Sequence, residues 1–387
     1  GLRAVAVSDT LNGVGLLIVG VAVPWLGLQA LGEGSVGAGL DIVLTTETQK
    51  LNAIGGPTDP TPFATLFTGM VFANLFYWCT NQYVIQRTLA ARSLAEGQKG
   101  VLLSGFFKVL VPLLMMIPGV VAYHLYGPEL QSIDLAYPQL VADVLPVYAT
   151  GFFLAVLLGA VLSSFNSLIN SASTLFCIDV YQPLIGRAVS DAEMVRVAKR
   201  VGLVMTGFSL LVAPLLQFAA EGLWQVIRIF TGFYNIPMIA IVIIGLFTRQ
   251  VPAVAAKVVI VFHIVAYGTF QFVLKDLLPV HFLHLYAILF VLEVAMMLAI
   301  GHWRPLREAV AIRQTAEVDL TPWAYAQPCA VTLLSCVVAL YVVFSPIGLV
   351  GSGSNLFVPV LLGLLALNVL FWFGWHHRLT AGSGAHA

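Results

Sequence analysis

Ten stretches of this chain are long and apolar enough to cross a membrane: near residues 11–32, 64–86, 101–126, 145–178, 199–219, 222–247, 254–274, 280–301, 328–348 and 354–375. A crossing needs about 20 mostly apolar residues. Inside hydrocarbon every backbone N–H and C=O must be bonded within the protein, which leaves helices and closed barrels as the only spanning structures. The residue-by-residue alternation of a barrel strand is absent, so the runs are read as helices. The run at 145–178 exceeds one crossing and fits a tilted helix or one that extends past the bilayer. Charged residues make up 9% of the chain, against about a quarter in a soluble domain. The expected fold is therefore an all-α polytopic membrane protein of about ten helices, with the lipid bilayer as its solvent.

Lys and Arg orient the runs, because cytoplasmic loops carry the excess of both. Counting from the inside, Arg3, Arg87, Arg92, Lys99, Arg187, Arg196, Lys199, Arg200, Arg249, Lys257, Arg304, Arg307, Arg313 and Arg378 all fall on inner segments, and the outer loops keep only Lys50 and Lys275. That pattern predicts an inner-membrane protein with a cytoplasmic C-terminus. The net charge is zero, which gives no case for a nucleic-acid partner. Cys79, Cys177, Cys329 and Cys336 show no metal or redox spacing and read as reduced packing residues.

The outer loop at about 33–63 holds LNAIGGPTDPTP, rich in turn formers. The loop at 124–146 carries Glu129, Asp134 and Asp143. The inner loop at 302–324 is basic and amphipathic, either a helix on the membrane surface or a solvated linker. The tail TAGSGAHA reads as disordered.

Polar residues inside the runs carry the functional signal, since a charge at mid-bilayer costs about 2.5–3.5 kcal/mol on insertion scales. Lys108 lies within two turns of an inner end, where it either snorkels to the interface or faces a cavity. Arg228 sits inside LWQVIRIFTGFYNIPM, ahead of Gly232 and Pro237. These two residues are expected to break the helix and release carbonyls, as in transporter binding sites. The stretch GAVLSSFNSLINSASTLF places Ala160, Ser163, Ser164 and Ser167 on one helical face. Close helix packing explains small hydroxyl residues of this kind, and Ser171 and Ser173 in particular. Oxygen ligands without a carboxylate also suit a monovalent cation.

NLFYWCTNQYVIQRTLA, residues 74–90, ends a second run with an unusual density of hydrogen-bonding groups. As a continuous helix it would present Asn74, Tyr77, Asn81 and Gln82 together, with Trp78 beside them. Amides bond hydroxyls and aromatic faces cover C–H surface, so the mixture suits a polyhydroxylated solute. Polar contacts between helices are the competing explanation. His281 and His284 have helical metal spacing but lie at an outer helix start without a third ligand, where a hydrated interface is the better reading. There is no H-E-x-x-H, nucleophile elbow or phosphate-cradling loop. A membrane enzyme is therefore not indicated, and no organic cofactor is expected.

Three segments together resemble the sodium/solute symporter family, close to its bacterial sodium/sugar (galactose/glucose-type) members. GLRAVAVSDTLNG resembles the family signature from its second Gly onward. NLFYWCTNQYVIQRTLAARSLAEGQKG resembles the sixth core helix and the loop after it, and SSFNSLINSASTLFCIDVY the eighth. The resemblance implies a five-plus-five inverted-repeat core. Residues 11–32 would be the fifth core helix and 64–247 would hold the sixth to tenth. Residues 1–250 would then be a partial core, mainly the second repeat, and 251–387 peripheral transmembrane helices and a cytoplasmic tail. It further implies an N-terminally truncated chain that is inactive alone.

By position, the resemblance assigns Ala160, Ser163 and Ser164 to a sodium site, Asn74 to a substrate amide, Tyr77 to an inner aromatic gate and Lys108 to a substrate contact. Asp9 and Asp179 become coupling acids. Arg228 departs from the family, whose sugar-transporting members place a Gln there. The expected activity is sodium-coupled symport of a sugar-like solute by alternating access, with Na+ as the coupling ion. A sugar acid or other organic anion is the alternative, since a guanidinium favours it. A sodium-dependent membrane sensor is the alternative of another class, and would need an output domain that this sequence does not show.

Overall fold

A computed structural model describes residues 2–130, 132–186, 189–218, 223–275, 277–278, 280–308, 318–351 and 355–383. Arg187, Arg313, the middle of the 302–324 segment and the end of the tail lie outside the described residues, as does the Arg3 side chain. The helices in chain order are α1 (Leu2–Leu31), α2 (Val36–Thr45), α3 (Gly69–Leu75), α4 (Gln82–Leu89), α5 (Leu94–Val111), α6 (Ile117–Tyr126), α7 (Ala136–Val144) and α8 (Val147–Leu175). They continue with α9 (Gln182–Ile185), α10 (Asp191–Val212), α11 (Leu223–Phe247), α12 (Ala253–Thr269), α13 (Phe282–Trp303), α14 (Ala326–Val343) and α15 (Phe357–Ser383). Among the described residues there is no strand, only an isolated bridge between Ser93 and Asp319. The outer loops hold more structure than their turn formers suggested, since α2 and α7 lie within them.

Nine helices among the described residues are long and apolar enough to cross a membrane. The run at 64–86 is the exception. It forms a 3-10 turn at Phe63–Phe67, then α3, a wide π turn at Phe76–Thr80, and an extended residue at Asn81 (φ −72°, ψ 113°) before α4. Thr80 bonds back to the Phe76 carbonyl at 2.9 Å, which competes with the ladder. Asn81 N–H bonds to that same carbonyl at 3.0 Å, and the Asn81 carbonyl opens the next helix by accepting from Ile85 N–H at 3.1 Å. The expected continuous face is thereby corrected. Asn74 and Tyr77 belong to one helical segment, and Asn81 and Gln82 to the break and the helix after it.

The chain divides into two compact units. The first holds residues 1–54, 87–166 and 316–387. Its core gathers Val23, Val43, Val121, Ala122 and Leu140, all almost fully buried. α1 and α8 run antiparallel, because Asn12 faces Gly159 and Gly15 faces Val156. α1 runs parallel to the α5–α6 segment, with Gly20 against Leu114 and Gly27 against Val121. α5 is parallel to α14, where Gly105 faces Leu333 and Gln98 accepts from Trp323 N–H at 2.7 Å. α15 returns antiparallel to α14, with Trp372 donating to Thr332 at 2.9 Å and Trp375 to the Ala324 carbonyl at 2.8 Å.

The second unit holds residues 55–86 and 167–315, around a core of Ile236, Tyr267, Phe270, Phe282, Leu283, Tyr286 and Leu289. α3 runs parallel to α13, where Thr68 meets His284 and Phe72 stacks on Phe290. It also runs parallel to α11, where Met70 meets Arg228 and Phe76 meets Tyr234. α12 is antiparallel to both α11 and α13. His263 meets Gly232 and Glu293, while Tyr267 meets the Ile229 carbonyl and the Tyr286 ring. Within each unit, then, same-parity runs lie parallel and opposite-parity runs antiparallel. A ten-pass chain requires that pattern, and it counts the broken run at 64–86 as a pass.

The expected break at Gly232 and Pro237 is not found. α11 is a single helix from Leu223 to Phe247 with Pro237 inside it. Pro237 costs the helix one ladder bond, to the Phe233 carbonyl, and the turn before it is held from the side: the carbonyls of Arg228, Ile229 and Gly232 also accept from Tyr286, Tyr267 and His263, respectively.

Candidate functional site

In the first unit, the polar seam between α1 and α8 centres on Asp9. Its carboxylate accepts from the Ser163 hydroxyl and from Arg87 Nη2 at 2.5 Å. One helical turn along the seam, the amide of Asn12 lies over Gly159, where an added Cβ would come within 2.5 Å of Asn12 Oδ1. Ala160, Ser163 and Ser164 therefore flank a short stack of side-chain oxygens rather than an apolar contact. Ser163 and Ala160 are half-buried and Ser164 is exposed, while Ser167, one turn on, is buried. The Arg87–Asp9 pair is partly open to solvent, and such pairs contribute about 0–1 kcal/mol to stability. Its importance is electrostatic: it sets a cation against the acid that holds Ser163. Lys108 is exposed on α5 of this unit.

The second unit carries the amide and aromatic residues. α3 can lie close to α13 because residue 69 is a glycine. An added Cβ there would overlap the Leu283 carbonyl oxygen and sit 2.7 Å from Tyr286 Cβ. From that contact the parallel pair of α3 and α11 carries Met70 and Asn74 on one helical face, with Tyr77 one turn further. Tyr77 accepts from the Tyr83 hydroxyl at 2.6 Å and packs edge-on against Trp78 and Tyr83. At the π turn the Asn81 N–H donates to the Phe76 carbonyl and not to the Tyr77 carbonyl, its usual ladder acceptor. The segment thus offers amides, hydroxyls, ring faces and an interrupted backbone ladder within about two turns. Gln82 is half-buried at the start of α4, and Asp179 is exposed in the π turn Phe176–Tyr181 at the end of α8.

Arg228 reaches the same pair of helices from the other end. Nη1 donates to Thr61 Oγ1 at 2.8 Å, and more weakly to the Pro60 carbonyl and Gln225 Oε1. Nη2 lies 3.4 Å from Met70 Sδ, and the guanidinium sits 5.7 Å from the Phe282 ring centroid. These partners are all neutral. His281 caps α13 through Nδ1, which accepts from Leu283 N–H at 3.3 Å, and His284 Nδ1 pairs with Thr68 at 2.9 Å. The histidine pair is thus used by the protein's own contacts, and among the described residues no group of three metal-ligating side chains occurs.

Three participants are not apparent from the sequence. Arg87 falls among the inner-loop positive charges, although the acid at position 9, at the start of a span, calls for a cation nearby. His263 and Glu293 lie in apolar runs, where a titratable residue in each of two successive runs is the available signal.

The sodium:solute symporter family profile matches residues 1–259. The chain is 41% identical over 378 residues to the uncharacterized symporter YidK of Escherichia coli (strain K12), covering 98% of this chain and 66% of that protein. It is 31% identical over 284 residues to the sodium/glucose cotransporter of Vibrio parahaemolyticus, covering 67% and 52%. Among solved structures, the substrate-bound outward-open state of a Na+-coupled sialic acid symporter superposes with a TM-score of 0.66 at 21% identity, over 80% of this chain and 64% of that one. That likeness concerns the fold. The chain thus spans between about half and two thirds of the length of these proteins. On the strength of the profile match, the chain belongs to the sodium:solute symporter family, a family of transporters rather than enzymes.

Proposed function

We propose that the complete protein containing this chain is a sodium-coupled secondary active symporter for a sugar-like solute, working by alternating access in the inner membrane with the C-terminus in the cytoplasm. The observation that carries this reading is the interrupted run at 64–86. An intramembrane helix break beside Asn74, Tyr77, Trp78, Asn81 and Gln82 supplies the backbone and side-chain polarity that transporters place at their binding sites. Residues 1–250 then contribute core helices, and 251–387 flank them. The relatives add support, since one of them is a sodium/glucose cotransporter.

Sodium is assigned to the Ala160, Ser163 and Ser164 face. Asp9 holds the Ser163 hydroxyl, so its carboxylate supplies a negative charge beside the proposed ion without being required as a ligand. Arg87 competes for that same carboxylate. Sodium arrival would weaken the Arg87 contact, which gives Asp9 a coupling role. Asp179 keeps the second coupling assignment. On the solute side, amides bond hydroxyls and the Tyr77 and Trp78 rings cover C–H faces. Lys108 retains its assignment as a solute contact from the family pattern.

A second reading, a sugar acid, rests on one observation: the Arg228 guanidinium has only neutral partners among its described contacts, so a carboxylate would be its first counter-charge. The two readings separate in one experiment. The complete reading frame containing this chain is expressed and its uptake of labelled neutral sugars and sugar acids is measured with sodium or choline. Sodium-dependent uptake of a neutral sugar is expected. Uptake confined to acids would establish the second reading, and uptake indifferent to sodium would overturn both.

A further inference from the structure

His263 on α12 and Glu293 on α13 are fully buried, at 0% exposure each, and the solute and sodium assignments use neither. His263 Nδ1 lies 2.5 Å from Glu293 Oε1, and Nε2 lies 2.9 Å from the Gly232 carbonyl on α11. A carbonyl only accepts, so Nε2 carries a hydrogen. The other ring nitrogen faces a carboxyl oxygen at contact distance, so one further proton lies between them. The pair is therefore net neutral, as burial in an apolar bundle demands. Glu293 Oε2 is buried with no hydrogen-bond partner. An orphan oxygen is less costly to bury as the carbonyl of an acid than as half of a carboxylate. The shared proton accordingly belongs on Glu293, and His263 accepts it.

Two tyrosines complete the arrangement. Tyr267 donates to the Ile229 carbonyl at 3.0 Å and Tyr286 to the Arg228 carbonyl at 2.8 Å. Both hydroxyls converge on Gly232, where an added Cβ would lie 2.7 Å from that of Tyr267 and overlap that of Tyr286. Three successive polar contacts from α12 and α13 therefore grip one turn of α11, the turn that begins at Arg228 and precedes Pro237. That proline removes a backbone hydrogen bond and would otherwise leave the turn free to bend.

We propose that His263 and Glu293, with Tyr267 and Tyr286, are positioning residues for the solute site: a neutral, one-proton clamp that fixes the α11 turn carrying Arg228. The proposal rests on the reading of Arg228 as solute-facing. It also states that Gln can replace Glu293, because an amide donates to His263 Nδ1 as the protonated acid does.

The test measures the solute KM and maximal rate of sodium-driven uptake by the complete protein in proteoliposomes, for His263→Phe, Glu293→Gln, Tyr286→Phe and Arg228→Gln. His263→Phe keeps the ring and loses both bonds. Tyr286→Phe loses a single hydroxyl and serves if the first variant fails to fold. The expected result is a several-fold higher KM for His263→Phe or Tyr286→Phe, little change for Glu293→Gln, and no additional KM effect of either clamp variant once Arg228 is already Gln. A purely structural role would lower the amount of active protein and add equally in both backgrounds, which would overturn the clamp. A Glu293→Gln variant as impaired as His263→Phe would overturn the proton assignment. If Arg228→Gln itself leaves KM unchanged, the reading of Arg228 as solute-facing is overturned and the clamp's role at the solute site falls with it; an Arg228→Gln effect without any effect of His263→Phe or Tyr286→Phe overturns the clamp alone.

Discussion

Gly69→Ala is the sharpest structural perturbation available. The new methyl would overlap the Leu283 carbonyl oxygen and sit 2.7 Å from Tyr286 Cβ, where ordinary contacts begin at 3.4 Å. Backbone cannot rotate aside as a side chain can, so α3 must move from α13 by at least the 0.7 Å that the milder of the two contacts requires. That displacement also strains the 2.9 Å Thr68–His284 bond and the Met70–Arg228 contact. Overpacking of this kind costs about 1–3 kcal/mol. Gly245→Ala in α11 is the control, because nothing lies within 4 Å of its added Cβ. There the substitution should be neutral or stabilise by up to about 1 kcal/mol through helix propensity. The assay is the apparent melting temperature in detergent, followed by solute KM. Gly69→Ala should melt clearly below both wild type and Gly245→Ala, and raise KM where protein survives. Matching melting temperatures for the two glycine variants would refute the close α3–α13 contact and the register built on it.

Ser163→Ala removes a hydroxyl that donates to the Asp9 carboxylate, a charged contact worth about 1.5–3 kcal/mol, and should raise half-saturating sodium by about ten-fold or more. Ser164→Ala removes a neutral hydroxyl contact, worth about 0.5–1.5 kcal/mol, and should raise it a few-fold; unchanged sodium dependence in both would refute the assignment. Arg87→Gln should shift sodium dependence the opposite way, because it removes the cation that competes for Asp9; sodium titration of uptake checks the sign. Arg228→Gln should depress uptake of acids if acids are carried, and for a neutral sugar should raise KM several-fold, as the clamp variants do; competition with labelled solutes checks both.

Much of the fold is legible in the sequence because the bilayer imposes its length on every crossing. The runs and their alternation follow from hydropathy alone, and the parallel and antiparallel pairs found within each unit agree with it. The local backbone is less legible. Asn81 interrupts its run through Thr80 back-bonding and an extended residue, a competition among hydrogen bonds that apolar counting does not weigh. Pro237 does the reverse: α11 runs through it with the loss of a single ladder bond, to the Phe233 carbonyl, while the carbonyls of the turn before it also accept from α12 and α13. Such partners lie far away in sequence. Asp9 and Ser163, 154 positions apart, show the same limit. Each was identified as a candidate, but their contact and the intrusion of Arg87 depend on helix packing.

The central claim is that sodium drives solute uphill. The complete protein is reconstituted in liposomes with an inward sodium gradient, and accumulation of the labelled sugar selected by the uptake panel is followed over time. The account predicts a transient rise of internal sugar above the external concentration, abolished by a sodium ionophore and absent when choline replaces sodium. Equilibration to the external concentration at the same rate with and without a sodium gradient would contradict it.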